Sequence, residues 1–118
     1  GGQQQRVAIA RTLALNPDVI LFDEPMSALD VDTRMILRDE LKDLQKRFGT
    51  TMIYITHDQE EAFAMSDRIM IMREANVVQL DTPGNILRHP ADDYVKTFVL
   101  QNLERKLHAL MHCVRDVP

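Results

Sequence analysis

The sequence predicts an α/β fold: a mostly parallel sheet with flanking helices, a C-terminal β-hairpin and a helical tail. Three observations lead there. Residues 19–22 and 51–56 are short apolar runs with the length and composition of strands covered on both faces. Helix-periodic segments precede and follow each of them. Strand, helix, strand, helix, strand in this order implies parallel pairing through crossover helices.

The elements follow in order. Residues 3–15 form a helix with Val7, Ala10 and Ala14 on one stripe. Asn16-Pro17 ends it, because a proline pushes its predecessor out of the helical region. After the first strand, residues 33–48 form the clearest helix, with Leu37, Leu41, Leu44 and Phe48 on one face and Gly49 closing it. Asp43 with Lys46 and Arg47 supplies helix-spaced charge pairs outside. TMIYIT, residues 51–56, is the second buried strand. Asp58 then caps a short helix, with Glu61 three residues on as in a capping box.

Residues 69–72 and 77–80 pair around Glu74-Ala75-Asn76, where Asn76 takes the left-handed position that glycine usually fills. Thr82-Pro83 starts a small helix and His89-Pro90 interrupts it. Asp92 or Asp93 begins a longer one, in which Leu103, Leu107, Leu110 and Val114 keep a 4-3-4 spacing. The expected organisation is residues 1–91 as one unit and 92–118 as a helical tail.

The totals bound the function. A chain of 118 residues, 45% hydrophobic and 27% charged, fits an ordinary soluble globular unit. A net charge of −4 with scattered Lys and Arg argues against a nucleic-acid partner, which needs a clustered basic face. Cys113 is the only cysteine, so no internal disulfide is available and a reducing compartment is expected. No apolar run approaches the ~18 residues needed to cross a bilayer, and no secretory leader is recognisable. His108 and His112 stand at i and i+4, a spacing that can hold zinc, but no third ligand is near and they read as surface residues. The seven methionines are scattered, as core filling.

The chemistry concentrates at VILFDEP. A buried strand ending in Asp23-Glu24 places two carboxylates at the carboxyl end of a strand, where open α/β sheets bind ligands. Successive strand residues point to opposite faces, so the acids can divide their labour. One can hold hydrated Mg²⁺ while the next addresses a water in front of a phosphate. The plainer alternative is a solvated strand end. GGQQQR, residues 1–6, opens the first helix, where free N–H groups and the helix dipole favour an anion; the alternative is a loop. His57 follows the second strand and can meet a phosphate or its attacking water, or serve packing alone. Asp30, in SALD, or Asp32 is the natural N-cap of the long helix.

GGQQQR, a strand ending DEP, then SALD, then a strand ending TH, in that order, resembles ABC-type ATPases from residue 1 to about residue 98. The resemblance implies a partial P-loop NTPase fold and the C-terminal part of an ATP-binding subunit that begins inside the signature motif. Gly1, Gly2 and Gln3 correspond to that motif. Asp23 corresponds to the Walker B aspartate that holds Mg²⁺ through water, and Glu24 to the general base. By the same resemblance Asp30 corresponds to the interface D-loop, and His57 to the switch histidine that meets the γ-phosphate. ATP and Mg²⁺ are the implied cofactors. A second ATP-binding subunit, membrane permease subunits and, indirectly, an extracytoplasmic solute-binding protein are the implied partners. The implied location is the cytoplasmic face of the plasma membrane.

DTPGNILRHPADDYVKTFV resembles importer subunits of the polyamine, ferric-iron and compatible-solute type, so solute import is the expected role. No G-x-x-x-x-G-K-[ST] loop occurs: the four glycines are Gly1, Gly2, Gly49 and Gly84, and none precedes a lysine. The chain alone is therefore expected not to hydrolyse ATP, and to expose strand edges and apolar surface. An ATPase of a non-transport system, and a non-catalytic interaction module docking through residues 102–114, are the competing readings.

Overall fold

The computed structural model describes residues 2–101 with Glu104, Leu107, His108 and Met111; Gly1, Leu103, Leu110, His112, Cys113 and Val114 lie outside the described residues. Contacts divide the chain into two compact units, Gly1–His57 and Asp58–Pro118.

The first unit contains α1 (Gly2–Ala14), β1 (Val19–Asp23), α2 (Val31–Phe48) and β2 (Thr51–Ile55). The strands pair in parallel with Val19 opposite Thr51 and Asp23 opposite Ile55. Both caps of α2 are as the sequence implies. The Asp30 carboxylate accepts the Thr33 N–H at 2.8 Å, and Gly49, at φ 64°, donates its N–H to the Gln45 carbonyl. Leu37 and Leu41 are almost fully buried, each worth about 1.5–3 kcal/mol of transfer free energy. Leu44 is half-buried and Phe48 exposed.

Two expectations need correction in this unit. On α1 the inward residues are Ile9 and Leu13, one turn apart, whereas Val7, Ala10 and Ala14 are exposed. The longer branched side chains remove more apolar area from water and take the inward stripe. Nor are the strands covered on both faces. β1 alternates, with Ile20 and Phe22 buried and Val19 and Leu21 exposed; on β2, Ile53 and Ile55 are exposed as well. Side chains alternate across a strand, so a layer packed on one face leaves the other open.

The second unit contains α3 (Gln59–Met65), β3 (Ile69–Arg73), β4 (Asn76–Asp81), α4 (Pro83–Arg88) and α5 (Asp93–Val95), the last continued by a π-helical turn at Lys96–Leu100. Asp58, Thr82 and Asp92 cap their helices through side-chain oxygens that accept the N–H of Glu61, Asn85 and Val95. β3 does not extend the parallel sheet. It pairs antiparallel with β4 in a separate two-stranded sheet, because a two-residue connection closes at far lower entropic cost than a crossover. The left-handed residues of that turn are Glu74 (φ 50°) and Ala75 (φ 64°), the positive pair of a type I′ turn. Asn76 is already in β4 and uses its side-chain amide to donate to the Glu74 carbonyl at 3.1 Å.

Ile71, Ile86, Val95 and Val99 form the core here, with Phe63, Ile69, Val78 and Tyr94 packed against it. This core draws on residues from both sides of position 91. The Tyr94 ring stacks on Phe98 at 5.3 Å between centroids and lies under the Arg73 guanidinium. Among the described residues, no helix is long and apolar enough to cross a membrane.

Candidate active site

Parallel pairing puts the carboxyl ends of β1 and β2 at the same edge, and the sequence-predicted acids lie there. Asp23 is the last residue of β1 and is exposed. The next residue continues the ladder by one bond, its N–H donating to the Ile55 carbonyl at 2.9 Å. At that point the chain turns sharply. Glu24 has φ 48°, a left-handed conformation that a non-glycine residue occupies only at a cost of about 1–2 kcal/mol. Such observed outliers cluster where a side chain must be aimed.

The strained backbone aims Glu24 at His57. Its Oε1 lies 2.8 Å from His57 Nε2, although neither spacing nor composition specifies a partner for either group. The Glu24 side chain is 37% exposed and that of His57 is 92% exposed, so the pair is open to a ligand. Downstream, the Ser27 N–H donates to the Glu24 carbonyl at 3.4 Å, the Leu29 N–H donates to the Met26 carbonyl, and Met26 is buried. One contact was not legible in the sequence: the Gln5 side-chain amide, from α1, donates to the Pro25 carbonyl. Its partners are 20 positions apart, and no pattern marks such a pair.

The other expected residues sit elsewhere in this unit. Gly2 and Gln3 form the first turn of α1, and Gln3 is exposed; Gly1 lies outside the described residues. Asp30 uses its carboxylate as the cap of α2. The Thr33 hydroxyl and N–H, with the Arg34 charge, hold it below the usual 3.8. Gln3 and Asp30 make no hydrogen bond to the Glu24–His57 pair. Among the described residues, no group of three or more His, Cys, Asp or Glu is placed to hold a metal unaided. A cation at Asp23 would complete its shell with water and ligand oxygens. That is the habit of Mg²⁺, so the donor set fits it.

Residues 1–27 match the ABC transporter family. The chain is 52% identical over 99 residues to the Fe(3+) ions import ATP-binding protein FbpC 2 of Rhizobium meliloti (strain 1021), covering 84% of this chain and 25% of that protein. It is 53% identical over 102 residues to the spermidine/putrescine import ATP-binding protein PotA of Bacillus thuringiensis (strain Al Hakam), covering 86% of this chain and 31% of that one. The chain thus spans about a quarter to a third of the length of these relatives. A solved metal-chelate type ABC transporter, in an inward-facing conformation, matches with a TM-score of 0.66 and 32% identity over 73% of this chain and 34% of its own. The α/β fold with its parallel pair is therefore part of the ABC ATPase fold. Over most of its length the chain thus shares about half of its residues with import ATP-binding proteins, and its first 27 residues match the ABC transporter family.

Proposed function

We propose that this chain supplies the hydrolytic residues of an ATP-binding subunit that drives solute import through separate permease subunits. The observation that carries the reading is the Glu24–His57 contact at the shared carboxyl end of two parallel strands.

Phosphoryl transfer needs positioning and charge neutralisation more than covalent chemistry from the protein. Glu24 is the base: its carboxylate orients a water and accepts its proton. His57 holds that carboxylate through Nε2 and keeps an exposed ring available to a phosphate. Asp23, the exposed last residue of β1, would hold Mg²⁺ through water. When bound, Mg²⁺ supplies charge neutralisation at the phosphates. Gly1, Gly2 and Gln3 meet the nucleotide of a second ATP-binding subunit, and Asp30 lies along that interface. The partners are that second subunit, the permease and, indirectly, a solute-binding protein, with the assembly at the cytoplasmic face of the plasma membrane.

The test is ATP hydrolysis by a subunit that joins this sequence to a phosphate-binding loop. Glu24→Gln is expected to keep ATP binding and stall hydrolysis; undiminished turnover removes Glu24 from the role. The 118-residue chain by itself is expected to release no phosphate above its own Glu24→Gln control.

A further inference from the structure

We infer that Gln5 is a positioning residue for Glu24, tying α1 to the turn that aims the acid. This rests on the role proposed for Glu24, and it goes beyond it by naming what holds that carboxylate in place.

Besides the local bond from the Ser27 N–H to the Glu24 carbonyl, the segment Glu24-Pro25 is pinned to other elements at two points. Upstream, the Glu24 N–H is bonded to the Ile55 carbonyl of β2. Pro25 has no N–H, so its carbonyl is the only backbone handle that residue offers. The Gln5 amide takes it. Between the two pins lies the left-handed backbone of Glu24. Without the second pin only the long local bond from the Ser27 N–H holds the turn against relaxation towards ordinary φ values, which would swing the carboxylate away from His57 Nε2.

The chemistry of the Gln5 side chain points the same way. A carbonyl oxygen only accepts, so the group facing Pro25 must be the N–H₂ end of the amide. The other end, Gln5 Oε1, is buried and has no hydrogen-bond partner. Native structures rarely leave a buried polar atom unpaired, and such a case calls for an explanation. Here the amide forgoes one bond while its donor end is held on Pro25. Gln5 also shares α1 with Gly2 and Gln3, so the bond joins the helix that opens at the signature residues to the acid of the other motif.

The test uses two variants. Gln5→Ala removes the side chain. Gln5→Glu keeps its shape, but the ionised carboxylate has no hydrogen to donate. In the 118-residue chain, hydrogen exchange is followed over residues 22–29, which include the bonded amides of Glu24 and Ser27. Both variants are expected to speed exchange there by about tenfold while melting close to the parent. In a subunit joining this sequence to a phosphate-binding loop, both should lower kcat by about tenfold to a hundredfold with KM for ATP unchanged. Neither should lower the residual rate further in a Glu24→Gln background.

A packing role is met by the isosteric Glu. Parent-like exchange or parent-like kcat in Gln5→Glu would therefore overturn the proposal. Failure of the underlying reading is separately visible, as hydrolysis that persists in Glu24→Gln alone.

Discussion

Asp23 and Ile55 face each other as the last paired residues of β1 and β2, so the two strands end level. The residues that follow, Glu24 on one side and Thr56-His57 on the other, leave the sheet at one height. A strand slipped by a residue would send every side chain to the opposite face and part the acid from the imidazole. The parallel register is what makes a pair distant in sequence meet at 2.8 Å.

Glu24→Gln keeps the size of the side chain and an acceptor for His57 Nε2 but removes the base. A positioned base contributes about 10²–10⁴-fold, so phosphate release by the complete subunit should fall at least a hundredfold. Equilibrium binding of ATP, measured with a fluorescent nucleotide, should change little.

Asp23→Asn removes the charge at the strand end and leaves the Glu24–His57 contact in place. The Mg²⁺ concentration giving half-maximal hydrolysis should rise about tenfold or more, because one carboxylate is most of what the chain offers a hard cation. A metal titration of turnover reads this out, and an unchanged midpoint would place the cation elsewhere.

Gly49 and Gly84 should respond oppositely to alanine. A Cβ at Gly49 meets nothing within 4 Å, yet the residue sits at φ 64°, so the substitution costs about 1 kcal/mol of backbone strain. At Gly84 the backbone is helical, and the nearest atom to a Cβ is Arg88 Nη2 at 2.7 Å, the far end of a side chain that can swing aside. The gain in helix propensity, up to about 1 kcal/mol, should then prevail. Denaturant unfolding of the two variants decides the sign of each.

Acid should loosen both units through Asp30, the cap of α2, and Asp81, which precedes the Thr82 cap of α4. The Thr33 hydroxyl and N–H hold Asp30 below 3.8, and the Asn85 amide followed by the Thr82 N–H does the same for Asp81. A carboxylate depressed in the folded state contributes stability that is complete above its unfolded value and disappears as pH drops through its folded one. Melting temperature should therefore decline below about pH 4, and the Asp30→Asn, Asp81→Asn double variant should show a shallower decline.

Much of this was legible one residue at a time. Asp30, Asp58, Thr82 and Asp92 announce helix starts because a short polar side chain before an apolar period has one productive use, and Gly49 announces a stop. The acids of the site were legible because carboxylates ending an apolar strand conflict with burial. Burial itself was not. Val19 and Leu21 look as buried as Ile20 and Phe22 in the sequence, and only the layer packed on the sheet separates them. The turn misread had a similar origin: asparagine tolerates positive φ best, but strand register set the turn, and Glu74 and Ala75 took it. The Gln5–Pro25 bond depends wholly on how α1 lies against the strand end, which no local pattern encodes.

The open side of the β1–β2 ribbon has a consequence for handling. Val19, Leu21, Ile53 and Ile55 keep a strip of hydrocarbon wet. Sulfate and other excluded solutes penalise wetted hydrocarbon, so adding them should drive these molecules together before it unfolds them, and dilution should part them again.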